Sequence, residues 1–208
     1  MKKYMIGIDE VGRGALAGPV VVAAAMIRCD RAHEPRRSVR GRTGVPLRDS
    51  KKLSARQREK WAVYLSARPD VDTVVARVSA RGIERMNISR AANAAAARAF
   101  RRLAARHPEI LGSCTVVLDG GLFLGNSESI VPAATVVKGD ELFPAVAMAS
   151  IVAKVARDRL LVRLAKKYPV YGFERHKGYG TAHHFAALKK YGPCREHRKT
   201  FLKHLKTS

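Results

Sequence analysis

Four acidic residues carry the chemistry in this 208-residue chain. Asp9 and Glu10 stand side by side after a short apolar run, and Asp119 and Asp140 each follow another run rich in β-branched residues. An adjacent Asp–Glu pair taken alone is more often a solvated turn than a site. Here the chain is otherwise crowded with positive charge, 40 Lys and Arg against 17 Asp and Glu, so acids repeated at strand ends point to a shared task. Hydrolysing a phosphodiester at neutral pH needs a good nucleophile and a way to offset charge on the attacking and leaving oxygens. Two divalent cations about 4 Å apart do both. Magnesium and manganese prefer carboxylate oxygens, which Asp9, Glu10, Asp119 and Asp140 would supply. Gathering four like charges without cations would be costly, which argues that cations fill such a site. The spacing is non-local, so no short motif proves it. Directly after the pair, Gly12-Arg13-Gly14 sets an arginine between glycines, where it can touch a nucleic-acid backbone.

The elements that would position these residues read as follows. Tyr4 to Ile8 forms a first strand, and Val20 to Ile27 a second, buried on both faces and hairpin-paired with the first. Asp30 to Arg48 holds six arginines with Pro35, Gly41, Gly44 and Pro46 and has no apolar period, so it reads as a long loop. Ser54 is placed to cap a helix from Ala55 to about Ala67, with Trp61 and Leu65 on its inner face. Val71 to Val78 reads as a strand. Asn87 to Arg106 has apolar residues recurring at three and four, the mark of an amphipathic helix. Thr115 to Leu118 then delivers Asp119, and Ala134 to Val137 delivers Asp140. Pro144 opens a helix reaching about Lys167, buried at its apolar start. Short helices are expected at Ala182 to Tyr191 and Arg195 to Leu205. Two parts follow, a main domain over 1–168 and a C-terminal helical extension over 169–208.

A net charge of +23 is a field that attracts polyanions, and nucleic acid is the expected partner. A membrane-surface protein fits less well, because the charge is spread along the chain and not gathered on one amphipathic helix. The longest apolar run, Ala15 to Ile27, is short of the roughly 20 residues a spanning helix needs and contains Gly18 and Pro19. With no signal-like start, the expectation is a cytoplasmic protein, not bound to membrane and monomeric. Cys29, Cys114 and Cys194 are odd in number and far apart, which reads as reduced thiols and speaks against a disulfide framework or a zinc site.

Six stretches, in this order, resemble the ribonuclease HII family: Gly7-Ile8-Asp9-Glu10-Val11-Gly12-Arg13-Gly14, Asp49-Ser50-Lys51-Lys52-Leu53-Ser54, Leu118-Asp119-Gly120, Lys138-Gly139-Asp140, Ala149 to Val155, and His176-Lys177-Gly178-Tyr179-Gly180-Thr181. The resemblance spans nearly the whole chain. It implies an α/β, ribonuclease H-like fold: a mixed five-stranded sheet flanked by helices, with a small helical C-terminal extension. It also implies a metal-dependent endonuclease, using two Mn2+ or Mg2+ ions, that cuts the RNA strand of an RNA/DNA hybrid. A lone ribonucleotide in duplex DNA would be a substrate too, and the ends left would be 3′-hydroxyl and 5′-phosphate. By position, Asp9, Glu10, Asp119 and Asp140 match the family's metal-binding acids. Gly12, Arg13 and Gly14 match its junction-sensing turn, where a close backbone can hydrogen-bond the 2′-hydroxyl that distinguishes RNA from DNA. Tyr179 matches the tyrosine that packs on the next deoxyribose, and Lys51 and Lys52 are candidate phosphate contacts.

Two departures stand out. Glu141 beside Asp140 leaves open which carboxylate is the better ligand, and the Arg-rich stretch before Asp49 exceeds the family's usual connection. Asp158, mid-helix, reads as structural. Rival readings are another ribonuclease H-like nuclease, such as ribonuclease HI or a junction resolvase, and a basic RNA- or ribosome-binding protein without catalysis. The first lacks the Gly-Arg-Gly turn and the distant tyrosine. The second gives no reason for acids at strand ends.

Overall fold

A computed structural model describes residues 3–29, 43–125 and 131–203. Most of the Arg-rich stretch expected as a loop lies outside the described residues. The chain builds one five-stranded sheet in the order β3-β2-β1-β4-β5. Its strands are β1 (Tyr4–Val11), β2 (Val20–Arg28), β3 (Val71–Val78), β4 (Cys114–Asp119) and β5 (Ala133–Val136). β1, β2 and β3 form an antiparallel meander, whereas β4 and β5 run parallel to β1. The sheet is therefore mixed, as the resemblance implies.

β2 shows why the sheet is covered on both sides. Val20, Val22, Ala24 and Met26 face one core and Ala23, Ala25 and Ile27 the other, all buried, so period-two alternation serves two apolar layers. Seven helices flank the sheet among the described residues: α1 (Ala55–Ser66), α2 (Ala80–Met86), α3 (Ile88–Arg106), α4 (Gly139–Leu142), α5 (Pro144–Lys167), α6 (Phe173–His176) and α7 (Ala182–Tyr191). α3 lays Ala92, Ala95, Ala96, Ala99, Phe100 and Leu103 on the first face. Its small residues let it lie close, and its outer arginines reach β3. Arg98 and Arg102 donate to the carbonyls of Arg77 and Val75, and Arg106 pairs with Asp72, which covers part of an edge strand.

α1 and the apolar start of α5 cover the other face. Ser54 caps α1 in a reciprocal pair with Gln57, and Trp61 and Leu65 point inward, as the sequence predicts. α5 presses hardest on Gly7 in β1. A Cβ at Gly7 would stand 2.1 Å from both the Ala145 carbonyl carbon and the Val146 nitrogen, so only glycine admits the helix at this distance.

Three expectations change. β1 runs on to Val11, with Asp9 opposite Ala23 and Glu10 opposite Val22, because β2 continues to offer an antiparallel partner. The acids are thus strand residues and not the start of a turn. α2 was not expected: it is two turns long, capped by Ser79, and contains Gly82, so it shows little periodicity. The helix expected at Arg195 to Leu205 is, among the described residues, only a single 3-10 turn at Lys199–Phe201. Its backbone is used elsewhere. Ala17 bridges His197, Gly18 N–H donates to the Glu196 carbonyl and Arg198 N–H to the Leu16 carbonyl.

The C-terminal segment belongs to a third apolar cluster. Tyr171, Phe173, Ala187 and Leu188 pack with Leu161 and Ala165 of α5 and with Leu16 and Ala17 of the β1–β2 connection. No helix among the described residues is long and apolar enough to cross a membrane.

Candidate active site

β1 and β4 are adjacent parallel strands whose last paired residues are Ile8 and Leu118. Asp9 and Asp119 follow directly, side by side, Asp119 as the last residue of β4 and Asp9 two residues before the end of β1, near the carboxyl ends where open α/β sheets hold their ligands. Past β5, Lys138 adopts a left-handed conformation (φ 58°) that turns the chain into α4. Gly139 N–H then donates to Asp119 Oδ1 at 2.7 Å, and Asp140 comes up beside that carboxylate. Asp119 sits at the hub, acting electrostatically on Asp9, Glu10 and Asp140.

Burial raises Asp9 well above the ordinary carboxylate range, and the charges of Glu10 and Asp119 push it further against a hydrogen bond from Ser150. Burial also raises Glu10. The Arg13 guanidinium, 3.6 Å away, partly offsets this, and Asp119 adds to it. Glu10 Oε2 is buried and meets no hydrogen-bond partner. Asp140 is pushed up to about 6 by burial, then by Asp49 and Asp119. Among the described residues no three acid, histidine or cysteine side chains already converge as a finished cation cage. The site is thus a crowd of carboxylates, of which Asp9, Glu10 and Asp140 are made worse acids by burial and by their neighbours, with one Glu10 oxygen left unpartnered.

The sequence pairs Asp140 with Glu141 ambiguously, and the structure places them apart. Asp140 is buried against the other acids. Glu141 is exposed and accepts a hydrogen bond from Lys52 Nζ at 3.0 Å, which lowers its pKa. Lys52 is thus half-committed to an ion pair, while Lys51 is exposed and its charge eases Glu10 and Asp140. Asp158 is held by Lys154 at 2.7 Å and by Arg58 at 3.6 Å, consistent with its structural reading.

Sequence reasoning missed a fifth acid and a hydroxyl relay. Asp49 is buried, caps the 3-10 turn Ser50–Lys52 through Lys51 N–H, and hydrogen-bonds Asp140. Ser150 and Ser50 lie 2.8 Å apart, both buried. A hydroxyl has one proton, so Ser150 donates it to Asp9 and accepts that of Ser50. Both residues stood inside quoted motifs, but no local periodicity signals a contact across 100 residues.

Gly12 begins the turn at φ 91°, and a Cβ there would lie 2.2 Å from Arg157 Nε. Arg13 reaches Ser89 Oγ at 3.2 Å, and Gly14 is open to solvent. Two buried arginines, also missed, hold this connection by its carbonyls. Arg157 donates to Ala17, Pro19 and Lys177, and Arg198 to Gly12, Arg13 and Gly18. Tyr179 lies over Arg157, with the guanidinium carbon 5.4 Å from its ring centroid, and is about one-third exposed at 36%. The structure therefore brings Gly12 and Tyr179 to the Arg157 guanidinium and ties the Gly12 and Arg13 carbonyls to that of Arg198.

The backbone at Tyr179 is fixed by a one-way histidine chain. Cys194 N–H donates to His197 Nδ1, so the His197 proton is on Nε2 and goes to His184 Nε2 at 3.0 Å. His184 must then carry its proton on Nδ1, which donates to the Tyr179 carbonyl at 2.9 Å. Both rings are neutral, and burial holds each down at about 4. The stacked His176 ring is lowered for the same reason and donates to the Tyr171 carbonyl. Between about 6.5 and 4 the unfolded chain protonates His184 and His197 while the folded chain does not. The unfolded state binds more protons there, so this part of stability falls as pH drops, at up to about 1.4 kcal/mol per pH unit for each ring. The raised acids act in the opposite sense. The quantity to measure is therefore the melting temperature of the wild type minus that of a His184→Gln/His197→Gln double variant, from pH 7 to 4.5. A difference that stays level across that range contradicts the chain.

The ribonuclease HII family model matches residues 6–207. The chain is 43% identical to the ribonuclease HII of Prochlorococcus marinus over 205 residues, covering 97% of this chain and 98% of that one. It is 44% identical to that of Bordetella pertussis over 197 residues, covering 94% and 87%. Among solved structures, the ribonuclease HII of Archaeoglobus fulgidus, determined in complex with PCNA, superposes with a TM-score of 0.73 at 26% identity, covering 98% of this chain and 97% of that one. Similarity that runs from the strand bearing Asp9 to the arginine clamping the turn after it, at near-equal chain length, means that this chain belongs to the ribonuclease HII family and is a ribonuclease H endonuclease.

Proposed function

We propose that the chain cuts the RNA strand of RNA/DNA hybrids and also incises duplex DNA at single embedded ribonucleotides, with Asp9, Glu10, Asp119 and Asp140 holding two divalent cations. The observation that carries this reading is the gathering of those carboxylates around Asp119, with Asp9 and Asp140 buried, Glu10 and Asp119 half-buried, and Glu10 Oε2 unpartnered. Hard carboxylate oxygens suit magnesium or manganese, whose charge would offset the mutual repulsion of these acids. Bound there, such cations supply an activated water and charge stabilisation on the phosphate oxygens. Water adds to phosphorus, the bond to the 3′ oxygen breaks, and that oxygen leaves with a proton, giving 3′-hydroxyl and 5′-phosphate ends.

The chain's own groups have separate tasks. Ser150, backed by Ser50, orients Asp9, and Gly139 N–H orients Asp119. Gly12, Arg13 and Gly14 offer a backbone that a ribose can approach, and Tyr179 meets the deoxyribose that follows it. Lys51 and Lys52 contact phosphates and read no sequence. All these groups come from one chain, so the reading takes the protein as a monomer.

The test uses a DNA duplex with one ribonucleotide and a long RNA/DNA hybrid, each with and without EDTA. Metal-dependent cleavage of both is expected, and an intact single-ribonucleotide duplex would restrict the activity to long hybrids. Tyr179→Ala should harm the single-ribonucleotide cut more, at the scale of about 1 to 3 kcal/mol for a lost stacking contact. Equal losses on both substrates would make Tyr179 a packing residue.

A further inference from the structure

Arg198 is fully buried, and among the described residues it meets no carboxylate. Three of its five donors answer to backbone instead. Nη2 donates to the Gly12 carbonyl at 2.7 Å, Nη1 to the Arg13 carbonyl at 2.7 Å and Nε to the Gly18 carbonyl at 3.0 Å. Burying a cation this way is costly, and an apolar side chain could fill the space more cheaply, so the fork geometry is what the position keeps.

A trans peptide points its carbonyl and its N–H in opposite directions. With the carbonyls of Gly12 and Arg13 drawn inward to one guanidinium, the N–H groups of Arg13 and Gly14 face away from it. Among the described residues no acceptor meets either N–H. Two successive outward N–H groups form a small concave donor site suited to an oxygen ligand. Glycine backbones hold no shape of their own, and at Gly14, which is exposed, a Cβ would meet nothing within 4 Å, so the turn takes its shape from what grips it.

We infer that Arg198 is a positioning residue for ribose recognition: it fixes the peptides on either side of Arg13 so that the Arg13 and Gly14 N–H groups present one rigid donor pair to the substrate's 2′-hydroxyl oxygen. The inference rests on the reading that the chain cuts beside ribonucleotides. It assigns specificity to a side chain that cannot touch nucleic acid.

The test measures ribose discrimination apart from general binding. In calcium, the affinity of the full-length protein for a duplex with one ribonucleotide is compared with that for the same duplex made wholly of DNA, and kcat/KM is measured on the first in magnesium. A wild type that does not prefer the ribonucleotide overturns the activity reading itself. Given that preference, Arg198→Gln should reduce the discrimination about tenfold or more and kcat/KM about a hundredfold, the scale of a positional error near 1 Å. Affinity for the all-DNA duplex should change less than about twofold, because phosphate contacts lie elsewhere. Arg198→Lys, with the charge but no fork, should fall between. Leu103→Ala, in the core behind α3, provides a variant of lowered melting temperature that should keep wild-type discrimination. The inference fails if Arg198→Gln discriminates as the wild type does, or if Leu103→Ala loses discrimination equally. It fails too if neither Arg198 variant folds, since the side chain would then serve the fold as a whole.

Discussion

Asp9→Asn and Asp119→Asn are each expected to lower cleavage by at least about a thousandfold, or about 4 kcal/mol in the barrier, while leaving the protein folded. An amide keeps the shape of the carboxylate and can still accept from Ser150 or Gly139 N–H, yet it is a poor ligand for hard cations. The same change has a second signature in stability. Asp9 has a folded pKa raised well above its unfolded value, so its contribution to stability is lost as pH rises through the raised value. At neutral pH, above its unfolded value, the buried carboxyl therefore lowers the stability of the cation-free protein, and an amide does not. Asp9→Asn should therefore melt a few degrees higher than the wild type in EDTA. It should also lose much of the rise in melting temperature that millimolar magnesium or manganese gives the wild type by mass action. Near-normal activity in either folded variant, or an undiminished metal-induced shift in Asp9→Asn, would remove that residue from the cation site.

Gly7→Ala should have the largest effect on the fold. The added methyl would stand 2.1 Å from backbone atoms of Ala145 and Val146, and backbone at the start of a buried helix cannot turn aside as a side chain can. α5 would have to withdraw from β1 by about 1 Å or more. Overpacking of this kind costs about 1 to 3 kcal/mol and sometimes more, against a total stability of about 5 to 15 kcal/mol. We expect a fall in melting temperature of about 10 °C or failure to accumulate as soluble protein. Any protein recovered should have reduced activity, because Ser150 lies on the displaced helix and hydrogen-bonds Asp9. A Gly7→Ala protein melting within 2 °C of the wild type would contradict the close approach.

The legible part of the structure was the part set by local chemistry. β3 and α5 lie where their composition and Pro144 put them, and Ser54 caps α1, because β-branched runs, apolar periods and caps act within a few residues. The acids were legible because strand ends and non-local repetition of one residue type could be seen together. Asp49 was not read as an acid of the site, since its partner Asp140 is 91 residues away and its own neighbours look like a helix entrance. Arg157 and Arg198 were hidden for a related reason. In a chain with 40 Lys and Arg, nothing local separates a buried cation from solvated ones. The false helix at Arg195 to Leu205 is the same failure, for there long-range backbone pairing with Leu16, Ala17 and Gly18 overrides local propensity.

That pairing has a consequence for how the protein comes into being. Arg198 holds the carbonyl of Gly12 across a separation of 186 residues. A chain made from its amino terminus can pair β1 with β2 early, but the connection between them lacks this hold until Arg198 has been synthesised. Joining segments so far apart is slow, since the entropy of closing the loop is lost before any contact repays it. A growing, strongly basic polypeptide surrounded by RNA would thus acquire its attraction for nucleic acid well before its ordered turn. Assembly in that order leaves the turn unheld until Arg198 itself has been made and has found its partners.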